Sequence, residues 1–146
     1  MTNIPKEIAR FLELHALEYQ NKKIEIANRY LSDYEKYMQV LDFFNWYILS
    51  VENFIDRADI SAGELVLPFA VIGSTVEIRD ASDQKKYSLF IREPGTNHPG
   101  PQYEEVSCIS GLGRSLLFKK EGEDIVIGAD GGFAGTIARI WYDFKL

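Results

Sequence analysis

Apolar positions recur in two different rhythms along the chain. Between residues 34 and 55, Tyr34, Tyr37, Leu41, Phe44, Ile48, Val51 and Ile55 follow one another in alternating steps of three and four. That is a heptad seam, and it predicts a helix lying against a partner helix. Just before it, Ser32-Asp33-Tyr34-Glu35 has the form of a capping box. In that motif the Ser32 hydroxyl accepts from the Glu35 N–H, and Glu35 reaches back to the Ser32 N–H. Upstream, Ile4, Ile8, Phe11 and His15, then Leu17, Ile24, Ala27 and Leu31, keep helical spacing. This first helix starts at Pro5, a residue tolerated in a first turn because its missing N–H would be unpaired there. Two helices of similar length, broken around Tyr30 to Ser32, imply an antiparallel hairpin. Val40, Phe43, Tyr47 and Phe54 form a second apolar row on the second helix, and Trp46 points in a third direction. A hairpin buries about one stripe per helix, so this row is expected to meet the C-terminal half or a second copy. A partner-binding face is the alternative.

The rhythm changes near Ser61-Ala62-Gly63. Before it stand Pro5 and no Gly; after it stand all 11 Gly and the other four Pro. Val71 to Arg79 alternates as a strand with a Gly73 kink, and Tyr87 to Arg92 is a second strand. Glu93 to Glu105 is a Pro/Gly loop. Gly113 to Lys119 is a short helical stretch and Asp124 to Gly128 a strand. Asp130-Gly131-Gly132 is a turn, and Phe133 to Phe144 a closing strand. The expected class is α+β, with a helical hairpin over residues 1–62 and a sheet domain with one short helix over 63–146.

The chain has 146 residues, 46% of them apolar and 26% charged, which is the composition of a folding chain. Residues 1–64 carry 7 basic and 11 acidic groups and the remainder 9 and 11, so neither half is basic. With a net charge of −6, broad nucleic-acid binding and binding to anionic membranes are not expected. The N-terminus is charged throughout, unlike a signal peptide, and Phe43 to Val51 is too short to span a bilayer. A soluble cytoplasmic protein is the expectation. One Cys and two His exclude an intrachain disulfide and make a structural zinc site improbable.

Residues 106 to 142, VSCISGLGRSLLFKKEGEDIVIGADGGFAGTIARIWY, resemble the C-terminal domain of the bacterial GreA/GreB transcript-cleavage factors. The family runs Ser-Pro-Leu-Gly-Arg-Ala-Leu-Leu-Gly-Lys, then Gly-Asp-x-Val-x-Val, a Gly turn and a strand ending in Tyr. Ser110, Leu112, Gly113, Arg114, Leu116, Leu117 and Lys119 fall on it, and Gly122, Asp124, Val126, Gly131, Gly132 and Tyr142 continue it approximately. Gly73-Ser74-Thr75-Val76 is similar to the family's Gly-Ala-Thr-Val strand. Two positions depart from the family. Gly111 stands in place of Pro, and Phe118 in place of Gly, which requires a pocket or an exposed ring at the end of the short helix. The motif also has a simpler local role: a helix N-terminus at Gly113-Arg114, with Leu116 and Leu117 packing on the sheet.

The resemblance implies an FKBP-like, antiparallel C-terminal domain that docks at the rim of the bacterial RNA polymerase secondary channel through Ser110, Leu112, Gly113 and Arg114. It implies that the hairpin enters the channel. In the family, acidic tip residues help hold a second Mg²⁺ in the polymerase active site; here the tip carboxylates are Asp33 and Glu35, whose simpler role is helix capping. Each helix of about 25 residues spans roughly 37 Å, shorter than the family's by about two to three turns. That points to a short-hairpin, Rnk-like or non-cleaving member that acts by channel occupancy. No cofactor is implied apart from the polymerase's own Mg²⁺ in the cleavage alternative. A dimeric adaptor, paired through the aromatic second helix, is the other alternative. Enzymatic readings are weaker. Prolyl isomerase activity needs an aromatic pocket, yet most aromatics lie in the helical half. Cys108 as nucleophile would need His98 as base, and a buried inert thiol is the simpler role. The Gly-rich stretches lack the Gly-Lys-Ser/Thr of a P-loop.

Overall fold

The computed structural model describes residues 3–95, 104–127 and 133–143. The expected turn at Asp130 to Gly132 lies outside them, as do His98 and most of the Pro/Gly loop. The chain divides into two compact units, Met1–Val66 and Leu67–Leu146.

In the first unit, β1 (Asn3–Ile4) leads into helix α1 (Lys6–Asn28). Pro5 has extended backbone (φ −69°, ψ 156°), so it precedes the helix as its N-cap and does not form its first turn. Its carbonyl accepts from the N–H groups of Ile8 and Ala9, both at 3.1 Å. Helix α2 spans Tyr34–Arg57, and its cap is Asp33, one residue later than the capping box requires. The Asp33 Oδ1 accepts from the Lys36 N–H at 3.1 Å. The third helical position is therefore Lys36 and not Glu35, and no reciprocal bond to Ser32 forms. After α2, β2 (Asp59–Ile60) pairs in parallel with β1, and the Ser61 N–H donates to the Ile4 carbonyl at 3.0 Å.

The seam differs from the expected one on both helices. On α2 the buried residues are Val40, Phe43, Phe44, Tyr47, Ile48 and Val51. The expected seam and the expected second row are thus two edges of one stripe, centred between them. Tyr47, expected to face away from α1, packs on it, and Tyr34 is 75% exposed at the tip. On α1 the buried line runs through Ile8, Leu12, His15, Ala16, Tyr19 and Ile26, and leaves Leu17, Ile24 and Leu31 exposed. A repeat of 3.5 drifts against a helix of 3.6 residues per turn, so spacing alone offers neighbouring lines of nearly equal merit. The row that suggested contact with a second copy includes Phe43 and Tyr47, both buried within the single chain.

Rings fill this seam. Tyr19 stacks on Phe44 with centroids 5.4 Å apart, and meets Tyr47 edge-on at 5.9 Å. His15 stacks with Phe11 at 5.5 Å, and its Nε2 is 2.7 Å from the Tyr47 hydroxyl. Such pairs add about 0.5–1.5 kcal/mol each beyond the area they bury.

The second unit is a five-stranded sheet in the order β5-β4-β3-β7-β6. Its strands are β3 (Thr75–Asp80), β4 (Lys86–Arg92), β5 (Glu104–Ser107), β6 (Asp124–Ile127) and β7 (Phe133–Trp141), with helix α3 (Gly111–Leu116) between β5 and β6. All neighbours are antiparallel except β4 and β5, which run parallel. A parallel neighbour requires a crossover and not a tight turn. The first two residues of β5, Glu104 and Glu105, fall in the stretch expected as loop, and only Val106 marks the strand as apolar. Strand β3 begins at Thr75, later than expected, because Val71 to Ser74 form a turn. There the Ser74 N–H donates to the Val71 carbonyl at 3.0 Å, and Gly73 sits at φ +91°, where a type II turn places Gly. Along β7, Glu77 faces Arg139 and Ile78 faces Ile137, so Ala138 is a bulge. Val76, Ile78, Ile91, Ile137, Leu116 and Leu117 form the core of this unit.

Burial, aided by the Lys22 ammonium, pulls the His15 pKa down from 6.5 to about 4. The unfolded chain therefore binds the extra proton first as pH falls. His15 contributes stability in full above about pH 6.5 and loses it progressively between there and pH 4, by a total of about 3 kcal/mol. Urea midpoints at pH 7 and pH 4.5 are expected to fall less in His15→Gln than in the parent. Equal acid sensitivity in the two proteins would assign the effect to other groups.

Candidate functional site

Helix α3 is only six residues long, and its geometry comes from the segment before it. Ser110 is the N-cap. Its Oγ accepts from the Gly113 N–H at 3.0 Å and donates to the Ser107 carbonyl at 2.7 Å. Gly113 packs on that same carbonyl so closely that a Cβ at this position would overlap the Ser107 oxygen. Two of the four expected docking residues are therefore held inside the turn by one carbonyl. The other two face outward: Leu112 is half-buried and Arg114 exposed. Leu116 and Leu117 anchor the far side in the core. Ser107 escaped the sequence reading, because it holds the turn through its backbone carbonyl, which any residue supplies.

Phe118 follows the helix with φ +66°, in the left-handed region that favours Gly. Its N–H donates to the Ala70 carbonyl at 2.8 Å, which fixes that backbone. The ring meets Phe69 edge-on, centroids 5.1 Å apart. The pocket required by a Phe at this position is thus supplied by Phe69. Beside the turn, Arg92 pairs with Glu105 at 3.6 Å and donates to the Glu93 carbonyl at 3.1 Å. Cys108 is fully buried; burial, reinforced by Glu93, pushes its thiol far above the ordinary range, so it is poorly suited to nucleophilic chemistry.

The hairpin tip is built around the Asp33 cap. Asp33 and Glu35 are both exposed, with Glu35 in the first turn of α2. Tyr34 and Tyr37 stack with centroids 6.5 Å apart, and the Lys36 ammonium lies 5.8 Å from the Tyr30 ring. Leu31 and Tyr34 are exposed, so the tip is apolar as well as acidic. No helix among the described residues is long and apolar enough to cross a membrane.

Phe118→Gly and Phe118→Ala both delete the ring, but only Ala retains the left-handed strain. The Gly variant is expected to be the more stable by about 1–2 kcal/mol in chemical denaturation. Equal stabilities would mean that the φ of +66° carries no cost in this turn.

The family model for the C-terminal domain of the transcription elongation factors GreA/GreB matches residues 68–142. Among solved structures, the prokaryotic transcription elongation factor GreA/GreB from Nitrosomonas europaea is 19% identical, with 97% of this chain and 100% of that one covered and a TM-score of 0.50. GreA factor homolog 1 (Gfh1) of Thermus thermophilus is also 19% identical, covering 96% of this chain and 98% of its own, with a TM-score of 0.42. No curated protein sequence matches. The matched segment takes in every strand from β3 to β7 together with the α3 turn, and by that C-terminal domain the chain belongs to the GreA/GreB family of transcription elongation factors.

Proposed function

We propose that this protein associates with bacterial RNA polymerase and modulates elongation by occupying the secondary channel with its hairpin. The observation that carries the reading is the family match over residues 68–142. Docking falls to the outward side of the α3 turn. Arg114 offers a planar guanidinium suited to a carboxylate on the polymerase rim, and Leu112 adds apolar contact. Ser110 and Gly113 act indirectly, by tying that turn to the Ser107 carbonyl. The protein works in the cytoplasm and has no catalytic residue of its own.

The tip supports occupancy over metal delivery. Inner-shell Mg²⁺ binding needs carboxylate oxygens at about 2.1 Å in near-octahedral geometry. The Asp33 Oδ1 is engaged with the Lys36 N–H, so a bidentate grip on a metal would forfeit a cap that contributes about 1 kcal/mol, and Oδ2 alone would offer a single ligand. Exposed Leu31 and Tyr34 instead give the tip bulk and apolar surface.

Arg114→Glu is expected to weaken binding to core RNA polymerase at least tenfold, which is about 1.4 kcal/mol, while the variant still folds. Unchanged affinity in the folded variant would remove the docking role. No affinity in the parent would leave the adaptor reading.

On a backtracked complex the protein is expected to give no stimulation of transcript cleavage. Asp33→Asn keeps a capping oxygen and should preserve stability, whereas Asp33→Ala should lose about 1 kcal/mol. Strong cleavage that disappears in Asp33→Asn would establish metal delivery by the tip.

A further inference from the structure

One side of the hairpin carries an open groove of about 430 Å³ between α1 and α2. Ala16, Leu17 and Ile55 give it apolar walls, and Glu13, Glu52 and Asp56 stand around it. No Lys, Arg or His lines it. Glu13 is shared with Arg10 at 3.6 Å, but among the described residues neither Glu52 nor Asp56 has an ion-pair partner. These two stand one helical turn apart on α2, where like charges repel until a cation comes between them. Among the described residues, no three acidic, His or Cys side chains converge to hold a metal ion. The carboxylates therefore act as separate charges along a groove.

The apolar wall continues toward the tip. Leu17 is 54% exposed and Ile24, one heptad later on the same face, 57%. Leu31 extends the line into the connecting turn. A seven-residue repeat on the side of a helix whose other face is already buried is a second seam, of the kind that receives another helix. A second copy of this chain offers no net-cationic long helix to place there: α1 carries four basic and four acidic residues, and α2 two basic and four acidic.

We propose that this groove docks a cationic amphipathic helix of a partner protein, with its apolar heptad residues against Leu17 and Ile24 and its Lys or Arg side chains beside Glu52 and Asp56. The groove belongs to the first unit and the α3 turn to the second, so the proposal extends the polymerase reading and does not depend on it.

The test uses the full-length protein and three synthetic 21-residue peptides: Leu at heptad positions flanked by Lys, the same peptide with Glu for Lys, and a scrambled Lys peptide without the heptad. The heptad Lys peptide is expected to bind at least tenfold more tightly than either control. Leu17→Gln and the double variant Glu52→Lys/Asp56→Lys are each expected to weaken it tenfold or more, while thermal midpoints stay near the parent's and Arg114→Glu leaves peptide binding intact. Equal binding of the heptad and scrambled Lys peptides, or undiminished binding in the double variant, would overturn the proposal. So would a concentration-dependent dimer in sedimentation that Leu17→Gln abolishes, because the occupant would then be a second copy.

Discussion

The His15 Nε2 and the Tyr47 hydroxyl, 2.7 Å apart in a buried seam, have to meet for the hairpin to close. An ordinary two-helix seam of Leu and Ile tolerates sliding, since one apolar knob resembles the next. Here sliding by one turn would leave an imidazole nitrogen and a phenol hydroxyl buried without partners, and each such group costs roughly 1–3 kcal/mol. The pair therefore sets which residue of α1 faces which residue of α2. The surrounding rings tolerate little error either, because stacked and edge-on contacts depend on orientation as well as on distance. With residue 15 held opposite 47, the place of the connecting turn follows, and Asp33 becomes the first residue able to cap α2.

The second unit relies on a comparable fixed point of a different kind. The Ser107 carbonyl accepts the Ser110 hydroxyl and supports the bare face of Gly113. Ser and Gly in this turn thus have an internal explanation, and the outward chemistry is left to Leu112 and Arg114. A side chain that contacts a partner and one that shapes the contacting loop leave similar marks on a sequence. In this turn Ser110 and Gly113 are of the shaping kind, since both engage the Ser107 carbonyl.

Much of the architecture was legible in the residues. Periodicity located both helices within a residue or two, and the change in Gly and Pro usage separated helical from stranded chain. The phase of the seam was harder, because α2 is apolar over a broad arc and Tyr47 reads equally well as edge or centre. The cap was displaced by one residue because Ser32 and Asp33 are both good capping types, and only the backbone decides between them. β5 was hidden because two of its four residues are Glu, and its pairing with β4 comes from topology and not from composition. At the candidate site, the Ser110 to Arg114 turn was legible as a motif. Its dependence on Ser107 was not, since a backbone carbonyl leaves no trace in side-chain identity.

The short parallel pair of β1 and β2 has a mechanical consequence. Coiled hairpins fray from their open end, where nothing holds the two helices together. In this chain, backbone hydrogen bonds join the strand before α1 to the strand after α2, so the open end is laced shut. Both ends of the helical pair are then closed: one by covalent connection, the other by this lacing. The helices are consequently led to melt as one cooperative body, and Asn3 and Ile4 belong to that body. A bulky group fused ahead of Asn3 would press on the lacing, roughly 34 Å along α1 from the tip, and its effect would be felt as a loosened lever arm and not as a blocked point.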